Sequence, residues 1–277
     1  MSLDMFYLIY AGVLGLLVGS FLNVVILRLP PYLMWQWKHE AHEFLDTPFE
    51  DTRPPGLVVK RSFCPHCQHQ LAWWENIPLV SYLLLRGKCR SCAAKISWQY
   101  PLVEFSMSLL AVACVYLYGW TFTGLAAAAL CAVLVVGTGI DFRTQFLPDE
   151  ITLPPLWAAL LLSLTPYGFV SPTLSILGAS IGYLSLWSLF WLFKLLRGKE
   201  GMGYGDFKLL ALLGAAFGPQ SLIPILLVAA FTGAIVGFIL LKIRKESLPF
   251  AFGPYLALGG ITYLFAGQQI NAALFAL

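Results

Sequence analysis

Gly201-Met202-Gly203-Tyr204-Gly205-Asp206-Phe207-Lys208 runs straight into the apolar stretch Leu209 to Gly218, so an acid stands at the mouth of an uncharged segment. A carboxylate at bilayer depth is costly and by default marks function, with a partner to be found. Asp141, in Thr138-Gly139-Ile140-Asp141-Phe142, closes another apolar run and is the best partner. Everything then turns on whether these runs are membrane helices.

Composition answers first. Hydrophobic residues make up 59% of the 277 and charged residues 11%, with a mean hydropathy of +0.77. Soluble domains are roughly 45 to 50% apolar and about 25% charged. The chain is therefore expected to be an all-α polytopic membrane protein, with no nucleic-acid partner. Apolar runs predict about eight transmembrane helices, near residues 6–27, 102–118, 121–140, 151–167, 173–193, 207–218, 221–241 and 251–266, the sixth being short.

The basic residues test that count, because Lys and Arg accumulate in cytoplasmic loops. Nine of the 17 lie between Arg28 and Lys95, and the others are Arg143, Lys194, Arg197, Lys199, Lys208, Lys242, Arg244 and Lys245. Eight spans place all of them on one face, whereas dropping a span scatters them over both. Both termini are then expected outside, with Asp141 and Asp206 at the same cytoplasmic depth. The first span has no basic n-region and no small-residue cleavage site, so it reads as a retained helix rather than a secretory signal. Its Asn23 reads as an interhelical hydrogen-bonding residue.

The chain thus divides into a first transmembrane helix (1–28), a cytoplasmic domain (29–100) and a transmembrane core (101–277). The cytoplasmic part opens with a short helix and a proline-containing loop. Cys64-Pro65-His66-Cys67 and Cys89-Arg90-Ser91-Cys92 then form two C-x2-C knuckles with 21 residues between them. Four such thiolates suit a structural Zn2+ that closes a domain with little core of its own. His66 or His69 in place of one cysteine is a minor variant. Disulfides are disfavoured in the reducing compartment implied by the charge pattern. Cys114 and Cys131 lie mid-span and read as packing residues. The stretch Trp73 to Lys88 reads either as an interfacial segment or as a packed hairpin, and Glu104 as structural.

Two carboxylates held close together cannot both ionise cheaply and share a proton. The charged one can deprotonate water while the protonated one polarises a peptide carbonyl. Gly203 and Gly205 let a substrate strand approach without meeting a Cβ atom. Asp149 reads as a helix N-cap, and Lys208 as an interfacial anchor. Glycine-flanked acids also occur in ion-coupled transporters, so the acids alone leave a protease and a transporter both open. The chain shows no internal repeat of the transporter kind.

The ordered set of motifs resembles the type IV prepilin peptidases. It comprises Gly19-Ser20-Phe21-Leu22-Asn23-Val24-Val25 before Arg28-Leu29-Pro30, the two knuckles, Asn76-Ile77-Pro78-Leu79-Val80-Ser81-Tyr82, Tyr100-Pro101-Leu102-Val103-Glu104, Asp141 with Leu147-Pro148-Asp149, and Gly203 through Lys208. The resemblance implies a GxGD-type intramembrane aspartyl protease of the bacterial inner membrane, with Asp141 and Asp206 catalytic and facing the cytoplasm. It implies that prepilins or type II secretion pseudopilins lose a short basic leader after a glycine. The new N-terminal residue, usually phenylalanine, is then methylated with S-adenosylmethionine. It associates methyl transfer with residues 29–100, with Gly87 and Lys88 as cofactor-binding positions and Cys64, Cys67, Cys89 and Cys92 as metal ligands. A peptidase without methylation is the alternative inside the family. Asp149, Glu150 and Glu200 are the acids available to a basic leader. The linker Arg197 to Glu200 is expected to be mobile until substrate docks. Oligomeric state is left open.

Overall fold

The computed structural model describes residues 3–57, 61–198, 202–244 and 251–275. Lys60, Lys199, Glu200, Gly201 and Lys245 lie outside these ranges, and with them half of the linker Arg197 to Glu200 expected to be mobile. Among the described residues the fold is helical, apart from two isolated bridges, Phe63 with Gln70 and Lys88 with Lys95. The helices are α1 (Leu3–Phe44), α2 (Val80–Leu84), α3 (Gln99–Tyr118), α4 (Phe122–Thr144), α5 (Asp149–Leu162), α6 (Pro172–Arg197), α7 (Tyr204–Phe217), α8 (Leu222–Arg244) and α9 (Gly253–Phe275).

Each predicted apolar run is thus a helix. Among the described residues five segments are long and apolar enough to cross a membrane: Met5–Phe44, Gln99–Tyr118, Phe122–Thr144, Pro172–Arg197 and Pro219–Ile243. Helices α5 and α7 fall short with 14 residues each. At about 1.5 Å per residue they reach about 21 Å, against a hydrocarbon core of about 30 Å. Helix α9 has the length, but its last turns carry Gln268, Gln269 and Asn271.

The chain forms two compact units, Met1–Trp120 and Thr121–Leu277. In the first, α1 and α3 meet backbone to backbone along a glycine stripe. A Cβ on Gly15 would lie 2.6 Å from Ser108 Cα, and one on Gly19 would lie 2.7 Å from Glu104 Cα. Such proximity suits membrane helices, which associate through packing and hydrogen bonds rather than hydrophobic burial. Ser108 Oγ donates to Gly12 O at 2.9 Å, and Asn23 Nδ2 donates to Tyr100 O at 3.1 Å. Asn23 is therefore the interhelical residue its place in the sequence suggested.

Helix α1 differs from the expected break after residue 28, for it continues through Pro30 and Pro31 to Phe44. Each proline removes an N–H and crowds the preceding turn. The chain beyond Phe44 folds back on the helix and holds it. Trp35 Nε1 donates to Asp51 O at 3.0 Å, Arg53 bonds Tyr32 Oη at 2.9 Å, and Phe49 sits 5.8 Å from the Trp35 ring.

Glu104 is buried, and its Oε2 accepts the Leu79 N–H at 2.8 Å. Leu79 has φ +58°, so this bond fixes a residue in the sparsely populated left-handed region. It ties the stretch after Trp73–Asn76 to α3. Cys114 and Cys131 are fully buried, as packing residues should be.

The second unit is built around α7, where every side chain from Asp206 to Phe217 is buried except Lys208. Helix α6 reaches it through direct backbone contact between Gly178 and Gly214, and Ser175 Oγ donates to Ala215 O at 2.6 Å. The outward faces of α6 and α8 stay apolar, with Ile176, Leu184, Leu192, Phe231 and Phe238 exposed. A buried central helix with an apolar exterior around it is what a bilayer requires. Gly15→Val should separate α1 from α3 and cost about 1 to 3 kcal/mol of stability. Thermal unfolding in detergent checks this, and an unchanged midpoint would count against the backbone contact.

Candidate functional site

Asp141 lies one turn before the end of α4. That helix closes at Gln145, whose φ of +53° is a left-handed cap and whose N–H bonds Asp141 O at 2.8 Å. The chain then passes through Leu147, which is buried and touches two glycines. A Cβ on Gly137 would lie 3.2 Å from Leu147 Cδ1, and one on Gly205 would lie 2.7 Å from Leu147 Cβ. Gly205 is thus the residue that lets the start of α7 close on the end of α4.

Asp206 occupies the first turn of α7. Its neighbours anchor it: Phe207 is fully buried, 5.7 Å from Phe190 and 6.0 Å from Tyr183, and Tyr204 lies 5.2 Å from Phe190. Asp141 and Asp206 are 5% and 8% exposed, so both carboxyl groups are largely withdrawn from solvent.

They converge on Gly253, the first residue of α9. Its N–H donates to Asp141 Oδ2 at 3.0 Å. A Cβ placed there would lie 2.7 Å from Asp141 Oδ2 and 3.6 Å from Asp206 Oδ1. The two oxygens are thus no farther apart than the sum of those distances. The sequence pointed to both acids but not to Gly253, whose only local sign is Phe252-Gly253-Pro254 at a helix start.

Asp149 departs from its expected role. Pro148 is the N-cap of α5 and makes no side-chain cap bond, while Asp149 is the first helical residue. Its carboxylate pairs with Lys208 Nζ. A proline ahead of the helix leaves the acid inside the first turn, where the dipole favours it and the lysine from α7 can reach it. Lys208 is accordingly an ion-pair partner. Glu150 is exposed in the same turn.

In the first unit the four thiols of Cys64, Cys67, Cys89 and Cys92 lie within 4.8 Å of one another. The Cys64–Cys92 and Cys67–Cys89 sulfur separations are both 3.9 Å. A tetrahedral ion with metal–sulfur bonds of about 2.3 Å has edges of about 3.8 Å, so the set fits one. Each knuckle is closed by backbone: Gln68 N bonds Cys64 O, and Ala93 N bonds Cys89 O, both at 2.9 Å. His69 turns away from the thiols, its Nε2 lying 3.3 Å from Glu75 Oε2. Ala72 N–H reaches the same oxygen at 2.7 Å. That backbone bond, helped by His69 and Arg90 and opposed by burial, holds the Glu75 carboxyl below the usual range.

Gly87 is buried with φ +67°, and a Cβ there would lie 2.9 Å from Tyr82 Oη. Lys88 is exposed beside Cys89. A cavity of about 360 Å3 opens where α1 meets this domain, lined among others by Phe21, Arg28, Arg61, Ser62, Trp73 and Asn76. Gly87 and Lys88 are not among its walls.

Residues 13–118 match the family model of the bacterial peptidase A24 N-terminal domain, and residues 128–238 that of the type IV leader peptidase family. The chain is 49% identical over 263 residues to a prepilin leader peptidase/N-methyltransferase of Xanthomonas campestris pv. campestris, covering 94% of this chain and 91% of that protein. A protein of that description from Stutzerimonas stutzeri is 47% identical over 274 residues, covering 96% and 93%. Another, from Aeromonas hydrophila, is 50% identical over 261 residues, covering 93% and 90%. No solved structure matches the chain.

Glu75 offers a pH test. Its carboxyl is held below its ordinary value of 4.5, so its contribution is complete above that pH and fades as the pH falls through the lower folded value. The stability difference between the native protein and Glu75→Gln should close on acidification. A difference that widens toward acid pH would reverse the assignment.

Proposed function

The chain belongs to the type IV leader peptidase family, and we propose that Asp141 and Asp206 are the acid pair with which it cuts prepilins. It is a leader peptidase that also methylates the amino terminus it exposes, the two activities for which relatives of matching length are named. The observation that carries the site is the convergence of two buried carboxyl groups on Gly253.

The chemistry follows from that proximity. The two carboxyl groups hold one proton between them. The ionised group takes a proton from a water molecule, whose oxygen attacks the scissile carbonyl carbon. The protonated group donates to the carbonyl oxygen as charge develops there. Collapse of the tetrahedral adduct breaks the C–N bond, and the proton passes to the leaving amine. A covalent acyl intermediate is not required. Gly205, closed against Leu147, holds the second acid in range of the first.

By the family resemblance the cut follows a glycine at the end of a short basic leader, on prepilins and on pseudopilins of type II secretion. Glu150 remains exposed for that leader, whereas Asp149 is engaged by Lys208. We assign eight crossings, with the acids facing the cytoplasm across the inner membrane. The 17 basic residues fall on one side only with that count. Helix α7 can be short because protein rather than lipid surrounds it. The protease core occupies 101–277, with both acids in the unit from Thr121.

Methyl transfer is assigned to the domain at 29–100. Its four-cysteine set suits Zn2+, which would fold the hairpin by binding. S-adenosylmethionine supplies an electrophilic methyl group to the new amine, usually that of phenylalanine. Gly87 shapes the turn before the third cysteine and Lys88 lies exposed beside it. The cavity between α1 and the domain is lined by Arg28, Arg61, Trp73 and Phe21, cations and rings that would suit the charged and aromatic parts of the donor. Trp73, Leu83 and Leu84 are exposed, which supports the interfacial reading of Trp73 to Lys88.

Asp141→Asn and Asp206→Asn should each lower leader cleavage to background while methylation of an already mature pilin persists. Mass analysis of both products checks this, and a variant that still cuts would remove its acid from the pair. The native protein should carry one zinc per chain. Cys64→Ser or Cys92→Ser should lower that content and methylation together, as elemental analysis and a labelled-methyl assay can show.

A further inference from the structure

Gly253 belongs to no motif that pointed to function, yet it is the point where both acids meet. The first turn of a helix leaves donors without intrahelical acceptors. In α9 this accounting is short. Pro254 has no N–H, and Tyr255 N is already bound to Phe252 O at 3.0 Å. The Gly253 N–H is the donor left over, and it goes to Asp141 Oδ2, 112 positions away in sequence, at 3.0 Å. A buried carboxylate gains from such a backbone donor, and the positive end of a 23-residue helix adds to the gain.

Sterics give the same residue a second use. Any side chain at 253 would start 2.7 Å from Asp141 Oδ2 and 3.6 Å from Asp206 Oδ1. Atoms do not sit at the first of these distances without displacement, so the Asp141 carboxyl group would have to leave its present position. Glycine is therefore required here by the space between the acids, since no positive φ calls for it.

We propose that Gly253 is a positioning residue of the peptidase: its N–H fixes the Asp141 carboxylate, and its missing side chain keeps the space between the acids open. This rests on the acid-pair reading above. It acts on the chemical step rather than on prepilin binding, because a small misplacement of a catalytic group is enough to cost about 100-fold in rate.

Gly259 supplies the control. It lies on the same helix, and a Cβ there would be as crowded, 2.6 Å from Ile225 O, but away from the acids. Gly253→Ala should lower kcat for leader cleavage about 100-fold or more with KM within about threefold. Gly259→Ala, assayed per folded enzyme, should keep kcat within about tenfold of the native value. Equal losses in the two variants, or a native kcat in Gly253→Ala, would overturn the proposal.

A spectroscopic readout covers the case in which Gly253→Ala does not fold. The sequence has two Phe-Gly pairs, Phe217-Gly218 and Phe252-Gly253. Carbonyl-13C phenylalanine with 15N glycine therefore isolates two amide signals. The Gly253 amide proton should move upfield in Asp141→Asn while that of Gly218 stays in place. A Gly253 signal indifferent to Asp141→Asn would contradict the hydrogen bond. If Asp141→Asn and Asp206→Asn both retain cleavage, the acid-pair reading itself fails. If they abolish it while Gly253→Ala remains native, only the role of Gly253 falls.

Discussion

Two carboxyl groups with little access to water need partners, and the second unit is arranged to supply them. Asp141 is met by a backbone N–H at the start of α9, and Asp206 is carried to it by a helix buried along nearly its whole length. For these ends to converge, helices must approach more closely than ordinary side chains allow. Gly178 against Gly214, Gly205 against Leu147 and Gly253 against Asp141 are the places where that happens. Gly205 and Gly253 serve the acids, whereas Gly178 and Gly214 bring α6 against α7.

The first unit meets a different constraint. Its cysteine-bearing hairpins are small and hold few buried apolar side chains. Four thiols gather within 4.8 Å through two tight turns, and the domain is tied to the membrane helices by a buried acid, Glu104, that holds the strained Leu79. The glycine stripe of α1 lets α3 lie against it, and Asn23 closes the polar end of that contact. The paired acids lie in one unit and the clustered thiols in the other.

Much of this was legible in the sequence because the signals are local. Long apolar runs give helices whatever surrounds them, and C-x2-C spacing sets two thiols on one turn. Asp206 was visible because an acid beside glycines in an apolar context has few ordinary explanations. Other features depend on partners far along the chain. Nothing near Pro30-Pro31 says that α1 will continue to Phe44, because the support comes from Phe49, Asp51 and Arg53 folding back. Asp149 reads locally as a cap, and its pairing with Lys208 needs α7 beside α5. Gly253 reads as an ordinary helix start until α4 is placed against it. Span number is intermediate: the runs are evident, but α5 and α7 are too short to be judged outside their packing.

One chain, on this account, removes a leader by acid-pair hydrolysis and methylates the amine so exposed. The measurement that bears on it most directly is the intact mass of a prepilin after incubation with the purified protein and S-adenosylmethionine. The expected product has lost its leader and gained one methyl group, or has lost its leader alone when the donor is withheld. A prepilin returned at its full mass in both incubations would contradict it.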